Sequence, residues 1–431
     1  MHNYEGLDRP GGFDRSGLLA PLKLRNFRLL WTGMTVSLLG DGVFVVAVAW
    51  QSYELSTSPF ALSLVMLAMT VPHVLLLLIG GVASDRLDRR RVMLASDLIR
   101  GVAVAVVGIL SLTGGLTLGW LSVLTAVYGA GTAFFGPAFD AVVPDVVPRH
   151  LLGQANSLDQ LVKPLALRIA GPAFGGWLIA AGGPGHAFVF DALTFGASGL
   201  ALTALRVAPK GRPEVTSLRR DVVAGLAYVR SHVWLWGTFA AAAIAYLLFM
   251  GPVEVLLPFI VKEEMGRSAG DLGFIFAFGG VGSITAALLL GSRGLPKRTV
   301  TFIYVAWTLS TLTIAGYGMA RSVWMLLIPS FLFNFFESAG TIVWATLKQH
   351  NVPTHLLGRV SSLDWLISIG LLPLSFALTG PVSTLFGGRS TLVAAGLLGA
   401  AVTLGALFLP GMRQAERLPG HAGRGLVAER A

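Results

Sequence analysis

The chain is expected to fold as an all-α integral membrane protein, with twelve transmembrane helices in two six-helix bundles related by a pseudo-two-fold axis. Composition is the first reason: 54% of the 431 residues are apolar, 13% are charged, and mean hydropathy is +0.72, outside the range of soluble domains. Segmentation is the second, because a hydrocarbon core of about 30 Å needs roughly 20 helical residues per crossing and the apolar residues fall in twelve such runs. The third is an internal repeat. Val147-Pro-Arg-His150-Leu-Leu-Gly153-Gln-Ala-Asn-Ser157-Leu-Asp159 recurs as Val352-Pro-Thr-His355-Leu-Leu-Gly358-Arg-Val-Ser-Ser362-Leu-Asp364, with nine of thirteen positions identical at an offset of 205 residues, near half the chain. Each copy precedes an apolar run with a Gly-Pro step, Gly171-Pro172 or Gly380-Pro381, so two matching halves with a site at their interface are expected.

Residues 1–25 are polar and glycine-rich, with no small-residue cleavage site before the first span, and are expected as a cytoplasmic tail. The first bundle, 26–206, holds spans at about Arg28–Ser52, Phe60–Ser84, Val92–Leu112, Leu116–Phe139, Leu158–Ala181 and Ala187–Leu205. Residues 207–233 form the linker. In it Leu218, Val222, Leu226 and Val229 recur at near-helical spacing while Arg219, Arg220 and Asp221 fall between them, which predicts an amphipathic helix on the inner membrane face. The second bundle, 234–410, holds spans at Leu235–Val261, Asp271–Leu290, Thr299–Met319, Ser322–Leu347, Ser361–Leu385 and Thr391–Pro410, followed by the tail 411–431.

Lys262, Arg267, Arg321 and Arg389 fall in loops on one side; the far more numerous remaining loop cations fall on the other. The positive-inside bias makes that second side, with both termini, cytoplasmic. It also accounts for the net charge of +10 without nucleic acid as a partner. Zero cysteines exclude disulfides, thiolate metal sites and thiol nucleophiles.

The turn between spans two and three reads Gly81-Val-Ala-Ser-Asp85-Arg86-Leu-Asp88-Arg89-Arg90-Arg91. Its spacing resembles the loop signature between helices two and three of the major facilitator superfamily, with Asp88 where that signature has glycine. Gly171-Pro172-Ala-Phe-Gly175-Gly176 in span five resembles the Gly-Pro-x-x-Gly-Gly core of the antiporter branch, although Leu167 stands where that branch has an upstream glycine. Gly40-Asp41, Ala155-Asn-Ser157 and Gly358-Arg-x-Ser-Ser362 resemble the bacterial subgroup of macrolide, tetracycline and enterobactin exporters. The glycines of span five leave one helix face open to a neighbouring backbone, and Pro172 lets the helix bend. The resemblance implies the major facilitator fold, with that helix between the halves.

Ionisable residues inside spans are costly and mark a pathway or a paired lock. At a rise of about 1.5 Å per residue, Asp41 lies roughly 20 Å from the inner end of span one, and Arg168 and Glu337 roughly 15 Å from the inner ends of spans five and ten. All three are therefore expected near the midplane, where Asp41 and Arg168 either neutralise one another or bind substrate. Asn334, Glu337, Thr341 and Trp344 share one stripe of span ten, walled by Phe331, Phe335 and Phe336, which suits an amphiphilic organic substrate. Glu337, with aromatic neighbours and no cation nearer in its span than Lys348, is the expected proton carrier. Glu254 and His73 are further candidates, and Asp191 is expected near the outer surface. Trp31, Trp50, Trp234 and Trp324 are expected as interfacial anchors.

A cytoplasmic gate is expected from Gly81, Asp85, Arg86, Arg89 and Arg90 with Asp364 at the start of span eleven. By the repeat, Asp159 would face Arg293, Lys297 or Arg298, or else bond Lys163 one turn on in its own helix. Asp97 and Arg100, three residues apart in the inner part of span three, are expected to neutralise each other as a support for the turn.

The resemblance implies a monomeric secondary transporter of the cell inner membrane that exports amphipathic small molecules, of macrolide or siderophore type, in exchange for protons by alternating access, without cofactor or metal. Proton-coupled solute uptake is the rival, and only the antiporter-like span five separates them. A non-transporting receptor or channel is a third class, disfavoured by the duplication, and an integral-membrane enzyme is a second, less favoured class. No close Glu-x-x-His, His-x-x-x-His or Gly-x-Ser-x-Gly arrangement appears to support it.

Overall fold

A computed structural model describes residues 19–148, 151, 155, 158–159, 162–206, 218–293 and 296–417. The first half comprises α1 (Arg25–Leu55), α2 (Pro59–Arg86), α3 (Arg89–Leu112), α4 (Leu118–Val146), α5 (Val162–Gly182) and α6 (Pro184–Thr203). Between the halves lies α7 (Leu218–Ser231). The second half comprises α8 (Val233–Phe259, continued as a π-turn over Ile260–Glu264), α9 (Ala269–Arg293), α10 (Thr299–Met319), α11 (Val323–Asn351), α12 (Thr354–Gly370), α13 (Leu372–Phe386) and α14 (Gly388–Ala406). Twelve segments are long and apolar enough to cross a membrane, Leu366–Phe386 among them, and no strand occurs among the described residues.

Helix starts follow local chemistry. Ser58, Thr117 and Ser322 accept from the backbone N–H of Phe60, Trp120 and Met325, which caps α2, α4 and α11. Asp88 caps α3 by accepting from Arg91 N at 3.0 Å. Gly183 and Gly387, both at φ 84°, make the tight turns from α5 to α6 and from α13 to α14.

Packing repeats between the halves. In the first, α2 packs on α4, α1 on α6 and α3 on both α4 and α6; in the second, α9 packs on α11, α8 on α14 and α10 on both α11 and α14. The halves meet crosswise, α5 against α9 and α2 against α13. Small residues permit this: a methyl at Gly176 would come within 2.6 Å of the Ala269 carbonyl, and one at Gly273 would overlap the Pro172 carbonyl. Gly171 and Gly175 serve contacts inside the first half, against Gly42 and Val43 of α1. In α5 the turn Leu165–Ala170 is a π-turn that ends at Gly171; Pro172 has no N–H to give the Arg168 carbonyl, so the helix widens there.

The end of the bundle at which α1 starts and α14 finishes is called the terminal end here, and its opposite the far end.

Candidate functional site

Where α5 and α11 approach one another, Arg168 Nη1 donates to Asn334 Oδ1 at 2.8 Å, and the Asn334 amide donates to the Ser330 carbonyl at 2.9 Å. This bond joins the two halves midway along α11. It also corrects the expected Asp41–Arg168 pair: the π-turn aims Arg168 at the other half. Glu337, one turn on from Asn334, accepts from Thr341 at 3.2 Å; Glu337 is half-buried and Thr341 exposed. Phe331 stacks on Phe335, which meets Phe336 edge to face, with centroids 6.0 and 5.2 Å apart. Glu254 of α8 is half-buried and faces Arg168. Trp344 does not share this face. Only 6% exposed, it is turned into the second half, against Trp234, Phe239 and Trp307. Trp234 is likewise buried, not an interfacial anchor, whereas Trp324 is exposed.

In the first half Asp41 accepts from the Tyr128 hydroxyl at 2.7 Å and lies 3.8 Å from Arg100, which donates to Asp97 at 2.6 Å. The Arg100 guanidinium sits 4.7 Å from the Phe135 ring centre and 4.5 Å from that of Phe195. Asp97 and Arg100 thus pair, but they are not a shallow support for the turn. Arg100 is 3% exposed and lies roughly 16 Å along α3 at 1.5 Å per residue, deep enough to reach Asp41. Asp191 is not at a surface: its side chain is fully buried beside this group. The rule that flags charges within spans does mark Asp191; only its depth misleads, because α6 begins at Pro184. Nothing in the sequence singles out Tyr128.

The far end is closed. The Tyr53 hydroxyl donates to the Val255 carbonyl at 2.6 Å, Lys262 donates to the Trp50 carbonyl at 3.1 Å while covering the Trp50 ring, and Gly380 lies against Phe60. None of these was legible as a pair.

At the terminal end, each ion pair between described side chains stays within one half. Arg89 bonds Asp145 at 2.7 Å, and Arg90 donates to the carbonyls of Leu202 and Thr203 at the end of α6. Asp364 is held by Lys348 and by Trp344 Nε1, both presented to α12 by α11 of the same half, whereas Arg90 of the turn is spent on the α6 carbonyls. Asp159 pairs with Lys163 at 2.5 Å, not with Lys297 or Arg298; a cation four residues on in the same helix is reached without moving either half. Gly81 has nothing within 4 Å of a Cβ position. The side chains of Asp85, Arg86 and Arg293, and most of the first repeat, lie outside the described residues. A cavity of about 250 Å³ opens nearby, between Phe27 and Trp31 of α1, Phe139 and Asp140 of α4, and Asp159.

Two bundles of six crossings with pseudo-symmetric packing and polar groups at their interface define a multi-pass transporter of the major facilitator superfamily. Within it, the family model described as transmembrane secretion effector matches residues 16–422, and the chain belongs to that family. It is 29% identical over 406 residues to the multidrug efflux pump Tap of Mycolicibacterium fortuitum, covering 91% of this chain and 97% of that one. It is 24% identical over 359 residues to macrolide efflux protein A of Streptococcus pyogenes, covering 82% and 88%. Among solved structures, a bacterial homologue of the iron transporter ferroportin in an inward-facing state superposes with a TM-score of 0.67 at 17% identity, covering 90% and 99%. A bacterial homologue of the lysosomal transporter Spinster superposes at 0.62 with 14% identity, covering 91% and 96%.

Proposed function

We propose that the protein exports amphipathic organic molecules across the bacterial inner membrane in exchange for protons, by alternating access with both termini cytoplasmic. The observation that carries the reading is the 2.8 Å bond from Arg168 to Asn334, with Glu254, Glu337 and the phenylalanines of α11 around it. A site with hydrogen-bonding groups of both halves and aromatic walls holds a molecule that is part polar and part apolar. Contacts that join the halves at the far end, with the ion pairs between described side chains at the terminal end kept inside each half, suit a cavity that loads from the cytoplasm. Glu337, Glu254 and Asp41 are the carboxylates offered to the exchanging proton, and a basic substrate competes with the proton at Glu337. Kinship with efflux pumps supports export over uptake.

The test uses inverted membrane vesicles and a fluorescent amphiphilic cation, ethidium. Antiport requires uptake into the vesicles when their interior is made acid and loss of that uptake when the gradient is collapsed. Accumulation driven by the opposite gradient would make the protein an importer.

A further inference from the structure

The terminal-end cavity of about 250 Å³ is separate from the site between the halves. It lies inside the first half, between α1, α4 and the approach to α5. Trp31 on its wall stands ten residues before Asp41, about 15 Å along α1. Three polar side chains reach this cavity with bonding capacity unused. Trp31 Nε1 and Asp159 Oδ1 are buried without a hydrogen bond, and the Asp140 carboxylate has neither a hydrogen bond nor an ion pair among the described residues. Pro144, four residues beyond Asp140 in α4, has no N–H to give the Asp140 carbonyl, which leaves a further acceptor at the same wall.

The charged groups that act on Asp140 among the described residues are Lys163 and Asp159, so the acids outnumber the cation by one. Apolar surface comes from Phe27 and Phe139, which are 1% and 4% exposed. Lys163 already shows how this place holds an ammonium group: its Nζ lies 2.5 Å from Asp159 Oδ2 and 5.8 Å from the Phe139 ring centre. Its side chain is 38% exposed, on a flexible four-carbon stem, and is free to swing into water. Unpaired buried polar groups are costly. A ligand that brings an ammonium to the two acids, an acceptor to Trp31 and an apolar body to the two rings would satisfy every one of them.

We propose that this cavity is a second binding site, for a primary ammonium on a small amphipathic body, and that such a cation replaces the Lys163 ammonium between Asp159, Asp140 and the Phe139 ring. Lys163 is then a built-in competitor. It fills the cation's place when the site is empty and returns to Asp159 when the ligand leaves. Binding here does not depend on transport. The proposal rests on the export reading in one respect only, that a cation held at the terminal end waits there on its way to Glu337.

Val143 lines the cavity, and the chain has no cysteine of its own, so Val143→Cys reports on occupancy. Alkylation of the purified full-length variant by N-ethylmaleimide in detergent is timed with and without 4-methoxyphenethylammonium, which carries one ammonium, one ring and one ether acceptor. The cation should slow alkylation, and the neutral 4-methoxyphenethyl alcohol should not. Adding Asp140→Asn should raise the concentration for half-protection about tenfold, the loss expected of one charged hydrogen bond; Asp140 is exposed and unpaired, so this change spares the fold. Adding Lys163→Met should lower that concentration by a comparable factor, whereas a Lys163 that merely braces its helix would change the melting temperature and not the affinity. Absence of protection, equal protection by the alcohol, or protection indifferent to both changes overturns the proposal. Protection by phosphatidylethanolamine dispersed in the same detergent, with none by the soluble cation, also overturns it and gives the cavity to a lipid amine. Failure of the export reading is seen separately: ethidium then does not accumulate in inverted vesicles under a pH gradient, while protection at position 143 stands.

Discussion

The Tyr53 hydroxyl, two residues from the end of α1, donates to the Val255 carbonyl of α8 at 2.6 Å and so ties one half of the transporter to the other at the far end. Phe259 packs on the same ring, with centroids 5.6 Å apart. A net hydrogen bond of about 1 kcal/mol corresponds to roughly a fivefold change in a two-state population. Tyr53→Phe should raise far-end opening by about that factor. Cysteine introduced at Gly270, beside Gly176 at the same end, reports it in a chain that has no native cysteine. An impermeant maleimide added from the far side should label the Tyr53→Phe protein faster, and equal labelling removes Tyr53 from the closure.

Close backbone approach sets a second expectation. At Gly273 a methyl group would overlap the Pro172 carbonyl, whereas at Gly199 it would meet nothing within 4 Å. Gly273→Ala should hold the halves apart and cut transport at least about tenfold while the protein still reaches the membrane. Gly199→Ala should transport normally and gain up to about 1 kcal/mol of helix stability. Vesicle uptake normalised to protein level compares the two, and normal transport by Gly273→Ala would refute the tight α5–α9 seam.

Asp364 is a lock inside the second half. Its bonds to Lys348 and Trp344 leave it 14% exposed, and removing one member of a buried pair costs about 3–5 kcal/mol. Asp364→Asn should therefore lower the melting temperature, and Asp364→Lys should lower it further. The swap Asp364→Lys with Lys348→Asp should recover part of the loss. If the single reversal melts like the parent chain yet transports poorly, Asp364 belongs to a gate that this conformation leaves open.

Glu337 tests the coupling in the cavity. Glu337→Gln keeps an acceptor for Thr341 but carries no proton between the two sides. The variant should bind ethidium with little change and lose pH-gradient-driven accumulation. Gradient-driven export at the parental rate would move the coupling to Asp41 or Glu254.

Much of this protein is local in origin and was readable from one chain. Each crossing announces itself within about 20 residues because lipid demands apolar side chains over that length, and the Val147 and Val352 repeats already divide the chain in half. Caps and turns are local too, as at Asp88. The height of a charge in the membrane is also nearly legible, since helices rise by a constant step. That placed Asp41 and Arg168 deep, and it failed for Asp191 and Arg100 only where the helix ends were misjudged. Direction around the helix axis is another matter. Successive residues turn by about 100°, so the partner of a side chain depends on which distant helices pack beside it. Arg168 met Asn334 and not Asp41, Arg100 met Asp41, and Tyr53 met Val255. Each of those bonds needed helices separated by tens to hundreds of residues to be brought together, which only the tertiary packing of glycine faces and cross-paired halves decides.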